Sequence, residues 1–262
     1  MSPRAPAVGR EVIDVAPHVG GRHRRLSIMD EPKTLVVLPG LDGTDVFFRP
    51  FLASLPASIR SLVISYPKSG ANEYDELLRV VRRAVAELPS FYVLGSSFSG
   101  PLAVMLARAE PEKVRGIILS ATFVRSPRQR LNRFKFAAVG PIIWALRAAR
   151  RIPVWLLRRR EDPFRRAKAE TWSCIPAHCL ASRVRAVLEV DVRDALRTCV
   201  QPVLCVAFEN DQLIPRASAE EILLHRPSTK LVMLPGKHLA MYSDPSRLAD
   251  EVVRFIQDGE ST

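Results

Sequence analysis

The chain has 262 residues, of which 47% are hydrophobic, enough for a complete core and too many for a largely disordered protein. No apolar run approaches the ~20 residues that a membrane-spanning helix needs. The stretch Met1–Pro6 lacks the apolar region of a signal peptide, so we expect a cytoplasmic protein.

The formal net charge of +12 is carried by one segment, because residues 125–168 contain 14 lysine and arginine residues and two acids, whereas the remainder is balanced. With no nucleic-acid recognition motif present, we expect no nucleic-acid partner.

Apolar runs alternate with helical patterns along most of the chain. The predicted strands are Thr34–Leu38, Leu62–Tyr66, Phe91–Leu94, Arg115–Ser120, Pro202–Phe208 and Lys230–Leu234. The predicted helices are Glu73–Leu88, Phe98–Ala109 and Pro245–Ile256. Strands that alternate with helices are typical of a mostly parallel sheet with helices on both faces, so we predict an α/β fold.

The alternation stops between about residues 122 and 198, where the chain is basic, helical in pattern and without a convincing strand. We therefore predict an α/β core made of residues 1–121 and 199–262. Residues 122–198 would form a helical basic cap, or lid, inserted into that core.

The stretch Gly95-Ser96-Ser97-Phe98-Ser99-Gly100 follows the predicted strand Phe91–Leu94 and precedes a predicted helix. A serine on a tight turn between strand and helix is held with its hydroxyl exposed, and its neighbours two positions away must be small. Gly95 and Ser99 meet that requirement. Ser97 is therefore the candidate nucleophile, and the alternative is an ordinary serine-rich turn, for example one that binds phosphate.

A serine hydroxyl needs a base within hydrogen-bond reach and an acid that orients the base. The chain contains five histidines: His18, His23, His178, His225 and His238. His238 is the candidate base, because it lies on the loop after the last predicted strand, from which it can reach across the strand ends. Asp211 is the candidate acid, because it follows the strand Pro202–Phe208; Glu209 is its nearest rival. The chain order Ser97, Asp211, His238 is the one expected of this arrangement.

The developing oxyanion needs two backbone N–H donors. One belongs to Phe98, the residue after the candidate nucleophile. The other is expected in the loop after an early strand, where Gly40 allows close approach and the Leu41 N–H is the candidate donor. Asp42, in the same loop, is interpreted as a turn residue without a chemical role.

The four cysteines, Cys174, Cys179, Cys199 and Cys205, form no C-x-x-C pair, and no histidine cluster has metal-ligand spacing. No metal site is predicted. Cys205 lies in an apolar run and is expected to be a buried, reduced thiol.

Together, the nucleophile turn, the oxyanion loop and the ordered triad resemble the α/β-hydrolase superfamily over about residues 33–125 and 200–257, with the cap unmatched. Within it, the chain is similar to bacterial carboxylesterases and thioesterases, including pimeloyl-[acyl-carrier-protein] methyl ester carboxylesterases. Two departures stand out: Pro39-Gly40 replaces the usual His-Gly pair, and Ser99 replaces a common glycine. The resemblance implies hydrolysis of a carboxylic ester, such as the methyl ester of an acyl-[acyl-carrier-protein] in biotin precursor synthesis. It implies no metal or organic cofactor.

The cap mixes apolar residues with arginine. The arginines that could dock an acidic acyl carrier protein are Arg147, Arg150, Arg151, Arg158, Arg159 and Arg160. Such complementarity mainly speeds encounter and weakens with salt. An anionic membrane surface is a second interpretation, and a basic surface that only aids solubility is a third. For the activity itself, a thioesterase or acyltransferase on the same triad and a non-catalytic binding protein remain alternatives.

Overall fold

The computed structural model describes residues 32–127 and 163–260. Within these ranges, six strands form one parallel sheet in the order β2-β1-β3-β4-β5-β6. The strands are β1 Lys33–Leu38, β2 Ile59–Val63, β3 Phe91–Ser96, β4 Val114–Ser120, β5 Val203–Phe208 and β6 Lys230–Leu234. The predicted α/β class and parallel sheet are therefore confirmed.

Helices connect and cover these strands. The α-helices of the described ranges are α1 Arg49–Ala53, α2 Tyr74–Ala84, α3 Gly100–Ala109, α4 Pro163–Cys174, α5 Ala177–Glu189, α6 Arg193–Thr198, α7 Arg216–His225, α8 Ala240–Ser243 and α9 Pro245–Glu260. Short 3-10 turns at Val46–Phe48 and Ser97–Ser99 lead into α1 and α3. None of the helices in the described ranges is long and apolar enough to cross a membrane.

The core lies on both faces of the sheet, as the alternation of side chains along β1 illustrates. Val36 and Leu38 belong to one buried cluster, which also contains apolar side chains of α2, α3, α6 and α7. Leu35 and Val37 belong to a second cluster, on the face covered by α1, α8 and α9. Successive strand residues point to opposite faces, so a strand covered on both sides is apolar throughout.

The edge strand β2 begins and ends earlier than its predicted bounds, Leu62–Tyr66. It begins at Ile59, which pairs with Lys33 of β1, and the chain leaves the sheet after Val63. The Tyr66 N–H then bonds the Gly43 carbonyl, 2.9 Å away, in the loop after β1. The apolar pattern missed the start of β2 because Arg60 and Ser61, which follow the buried Ile59, are polar and exposed at the sheet edge.

The two ends of the predicted insertion lie side by side on the core. The Val192 N–H bonds the Val124 carbonyl at 2.8 Å, and Arg125 forms an antiparallel bridge with Asp191. Val124 and Val192 both belong to the cluster that covers one face of the sheet. The arginines predicted to dock a carrier protein, Arg147 to Arg160, lie outside the described residues.

Candidate active site

The candidate residues meet at the carboxyl ends of the strands. The order of the sheet reverses between β1 and β3, so the loops that follow these two strands diverge and leave a crevice, the usual place for a site in an open parallel sheet. The loop after β1 carries Gly40 and Leu41, and the turn after β3 carries Ser97. A Cβ atom built on Gly40 would lie 3.9 Å from the Ser97 Cβ, which places the two loops in contact.

Ser97 lies on a sharp turn between β3 and α3. Its φ angle is 51°, in the left-handed region that non-glycine residues rarely occupy, at a cost of about 1–3 kcal/mol. The position two residues before Ser97 must be small, as the sequence predicts. A Cβ on Gly95 would lie 2.8 Å from the Ala103 Cβ and would also clash with the Ser99 carbonyl oxygen. Close packing of strand against helix therefore holds the Ser97 backbone in its strained conformation.

A continuous chain of hydrogen bonds joins the three candidate triad residues. His238 Nε2 lies 2.9 Å from Ser97 Oγ, and His238 Nδ1 lies 2.7 Å from Asp211 Oδ2. The other carboxylate oxygen, Asp211 Oδ1, accepts the N–H groups of Leu213 at 2.8 Å and Ile214 at 2.9 Å. Since a carboxylate only accepts, Nδ1–H donates to Asp211 and the neutral ring leaves Nε2 free to accept the serine proton.

The Asp211 side chain is only 3% exposed. Burial disfavours its charge, but hydrogen bonds from His238 and from the N–H groups of Ile214 and Leu213 outweigh burial and hold its pKa below the ordinary value. A depressed pKa stabilises the fold above the unfolded-chain pKa, and that contribution is lost as the pH falls through the folded value. Asp211 is thus an anion at neutral pH. Its rival Glu209 is exposed.

The Ser97 carbonyl and the Phe98 N–H belong to the same peptide group. Hydrogen bonds to this carbonyl therefore fix the direction of the Phe98 N–H. This carbonyl accepts the Gly100 N–H and the Thr122 hydroxyl. The next carbonyl, of Phe98, accepts the Tyr74 hydroxyl at 2.7 Å, and the two rings stack with centroids 4.8 Å apart. These contacts hold the turn that presents Ser97.

Ser99, where the resemblance leads one to expect glycine, links the two loops of the site. Its hydroxyl bonds the Pro39 carbonyl oxygen and the Tyr66 hydroxyl, and the residue is fully buried. The departure from glycine therefore adds a hydrogen bond between the nucleophile turn and the loop after β1.

Helices of the predicted insertion contribute apolar side chains on both sides of the site. On the histidine side, Leu239 and Tyr242 pack with Phe47 and with Phe164 of α4. On the other side, Leu41 packs against a second cluster on and just before α5, whose buried members are Ile175, Cys179 and Leu180. Apolar clusters thus adjoin the base, through Leu239, and the oxyanion loop, through Leu41.

Four residues that surround the site were not identified from the sequence: Tyr66, Tyr74, Thr122 and Arg183. Each acts through contacts between segments that are distant in the chain, which a local motif does not reveal. Of the described thiols, Cys179 packs in the cluster beside Leu41 and accepts from the Asn72 side-chain amide at 3.5 Å. Cys205 is free and buried, as predicted, and burial raises its pKa to about 12. In the part of the chain that the structure describes, no group of three or more His, Cys, Asp or Glu side chains could hold a metal ion.

A family model, curated proteins and solved structures match this chain. Residues 35–251 match the model of the alpha/beta hydrolase family. A pimeloyl-[acyl-carrier protein] methyl ester esterase of Nitrosospira multiformis is 27% identical, over 80% of this chain and 85% of that protein. A proline iminopeptidase of Elizabethkingia meningoseptica is 23% identical, over 70% of this chain and 71% of that protein. The crystal structure of a hydrolase from Pseudomonas aeruginosa superposes with a TM-score of 0.71 at 23% identity, covering 87% of this chain and 91% of that one.

Proposed function

The chain belongs to the alpha/beta hydrolase family, and on that premise we propose that it cleaves carboxylic esters through an acyl-enzyme formed on Ser97. The observation that carries this proposal is the unbroken hydrogen-bond chain from Ser97 Oγ through His238 to the buried carboxylate of Asp211. Such a chain supplies a nucleophile, a base and an orienting anion in contact.

In the first half of the reaction, Ser97 Oγ attacks the ester carbonyl carbon while His238 Nε2 accepts the serine proton. The carbonyl oxygen becomes an oxyanion, for which the N–H groups of Leu41 and Phe98 are the proposed donors. The carbon–oxygen bond to the alcohol then breaks, and the imidazolium of His238 gives its proton to the departing alkoxide. Asp211 stabilises the imidazolium throughout.

In the second half, a water molecule takes the place of the alcohol. His238 removes a proton from this water, whose oxygen attacks the acyl carbon and forms a second oxyanion in the same site. Breakdown of this intermediate returns the proton to Ser97 and releases the carboxylic acid. A thioester would react by the same steps with a thiol as leaving group.

The acyl side of the substrate is proposed to be apolar. Leu239 follows the base directly in the chain and packs with the aromatic rings of Phe47, Phe164 and Tyr242. On the opposite side, Leu41 packs against Ile175 and Leu180. Apolar clusters next to the base and next to the oxyanion loop suit a hydrocarbon chain better than a charged group.

A substrate panel tests the ester assignment. We expect p-nitrophenyl and methyl esters of medium-chain acids to be hydrolysed, at rates that rise with apolar chain length up to the limit of the site. Acyl thioesters and prolyl amides test the thioesterase alternative and the activity named for the iminopeptidase relative. Addition of methanol or hydroxylamine reveals acyl transfer in place of hydrolysis. Turnover of thioesters or amides with no turnover of any ester would contradict the assignment.

The finer proposal is that the acyl group arrives on an acyl carrier protein, as the name of the Nitrosospira relative indicates for that protein. It rests on the 14 lysine and arginine residues within residues 125–168, since acyl carrier proteins are acidic and electrostatic attraction can raise association rates 10- to 1000-fold.

Charge reversal tests this docking. Replacing Arg147, Arg150 and Arg151 or Arg158, Arg159 and Arg160 with glutamate is expected to lower kcat/KM for an acyl-carrier-protein ester about 10-fold or more at low salt. Turnover of a p-nitrophenyl ester should not change. The matched control reverses three exposed arginines elsewhere, Arg216, Arg247 and Arg254. Equal loss in the control, or binding to anionic vesicles in place of carrier protein, would reject this surface.

A further inference from the structure

Arg183 is a buried arginine on α5, and only 2% of the residue is exposed. Its guanidinium lies 5.3 Å from the centre of the Tyr66 ring, which it faces. Its acceptors among the described residues are all uncharged oxygens: the carbonyls of Leu41 at 3.0 Å, Asp42 at 2.9 Å and Pro67 at 3.2 Å, and the side chain of Asn72 at 2.7 and 3.0 Å.

Burial of a cation is costly unless strong contacts replace its water. The carbonyl and amide oxygens around Arg183, together with the Tyr66 ring face, provide that replacement. Two of the four acceptors are consecutive carbonyls of the loop after β1. The guanidinium therefore binds the loop that carries Leu41, the proposed oxyanion donor.

Every carbonyl from residue 39 to residue 43 has a donor in the structure. Those donors are the Ser99 hydroxyl for Pro39, the Gly43 N–H for Gly40, Arg183 Nη1 for both Leu41 and Asp42, and the Tyr66 N–H for Gly43. Since each bonded carbonyl restrains the plane of its peptide, these bonds hold the loop in one conformation without a substrate. Preorganised donors of this kind need no rearrangement when the oxyanion forms.

A continuous path of peptide dipoles also runs from Arg183 to the Leu41 N–H. Arg183 Nη1 donates to the Asp42 carbonyl, and the N–H of that same peptide, on Gly43, donates to the Gly40 carbonyl at 3.0 Å. The peptide that contains the Gly40 carbonyl ends in the Leu41 N–H. Hydrogen bonds in such a chain polarise one another, so the cation strengthens the final donor.

We propose that Arg183 is a positioning residue for the oxyanion hole: it fixes the loop of residues 40–43 and polarises the Leu41 N–H through the Asp42–Gly43 peptide. Arg183 bonds the loop through the Leu41 and Asp42 carbonyls and so acts through the backbone. This inference rests on the proposed function. It also gives α5, within the predicted cap, a part in the chemistry besides covering the site.

Arg183→Lys tests the inference, because lysine keeps the charge but cannot reach all of these oxygens. Deleting one oxyanion-hole donor outright lowers kcat about 100- to 1000-fold, so we expect a weakened donor to lower it about 10- to 100-fold. KM should stay within about threefold, since the oxyanion exists only after attack. The Ki of a trifluoromethyl ketone, whose adduct with Ser97 carries an oxyanion, should rise by the same factor as kcat falls. The concentration of active protein should be measured by active-site titration, so that kcat is calculated per folded molecule.

Arg226→Lys is the matched control. Arg226 also binds two backbone carbonyls, those of Cys199 and Gln201. These residues precede β5, so they lie near the amino-terminal ends of the strands, away from the site. This variant should be less stable, with kcat and Ki unchanged. If Arg183→Lys does not fold, Asn72→Gly provides the test, because glycine tolerates the φ of 57° at this position and the change removes both side-chain bonds to the guanidinium.

For Asn72→Gly we expect the same two changes at a smaller size: kcat should fall and the ketone Ki should rise, each by about three- to tenfold. Unchanged kcat and unchanged ketone Ki in the folded Arg183→Lys protein, or in Asn72→Gly if lysine is not tolerated, would overturn the role of Arg183. That result would leave the ester hydrolase assignment intact. Failure of the wild-type protein to hydrolyse any ester or to bind the ketone would instead remove the proposed function on which this inference depends.

Discussion

Ser97→Ala is expected to lower kcat for ester hydrolysis by a factor on the order of 10⁴ to 10⁶, because the acyl-enzyme cannot form without the hydroxyl. Any residual rate would come from substrate binding and from the oxyanion donors. The melting temperature should change little, since alanine keeps the Cβ atom and, among the described residues, the lost hydroxyl bonds one side chain, that of His238 at 2.9 Å. Initial rates with a p-nitrophenyl ester, measured beside a thermal melt, check both parts.

Ser96→Ala is the control for this variant. Ser96 precedes Ser97 and is buried, and its hydroxyl contacts the Met241 sulfur at 3.8 Å instead of the base. Its replacement should leave kcat within a few-fold of wild type. A large loss of activity in Ser96→Ala with none in Ser97→Ala would show that Ser96, and not Ser97, is the nucleophile.

Asp211→Asn is expected to lower kcat about 10⁴-fold with little change in structure. The asparagine amide can donate to Nδ1 and thereby place the ring proton on Nε2, where it blocks acceptance of the serine proton. The variant also lacks the anion that stabilises the imidazolium. Because the pKa of the Asp211 carboxyl is depressed, the wild-type protein should lose part of its stability at acidic pH through this group, and that loss should be smaller in the variant.

Glu209→Gln serves as the matched control, since Glu209 follows the same strand but is exposed. Rates across a range of pH and acid denaturation curves should be recorded for both variants and the wild type. An Asp211→Asn enzyme with near wild-type kcat, beside an impaired Glu209→Gln enzyme, would move the orienting role to Glu209.

The sheet was largely predictable because its strands are covered on both faces. Strands such as Phe91–Ser96 and Val203–Phe208 are almost entirely buried, so they appear in the sequence as short apolar runs between turn residues. The prediction for β2 was displaced because a strand at the sheet edge keeps polar residues such as Arg60 and Ser61 in solvent. Hydrophobic pattern alone locates the buried part of a strand and does not show where its backbone pairing begins.

The three triad candidates were also accessible from the sequence, because each follows a recognisable strand. Strand ends of a parallel sheet meet at one edge, and chain order then selects Asp211 and His238 from several acids and histidines. The hydrogen-bond chain links the same three side chains that this order selects.

The surroundings of the triad could not be predicted in this way. Arg183 lies in a helix of ordinary amphipathic pattern, where an arginine is usually solvated, and only the approach of α5 to the loop after β1 reveals its burial. Thr122 and Tyr66 likewise reach the site from segments with no motif of their own. Contacts of this kind depend on tertiary packing, which local sequence does not encode in a readable pattern.

The most direct measurement of the central claim is covalent labelling with a fluorophosphonate probe, followed by peptide mapping of the adduct. The proposed chemistry predicts one adduct per chain on Ser97, with ester turnover lost in proportion to labelling. It also predicts little labelling of the Ser97→Ala and Asp211→Asn proteins. A folded wild-type protein that hydrolyses esters but remains unlabelled, or carries its adduct on another residue, would contradict the assignment of Ser97 as the nucleophile.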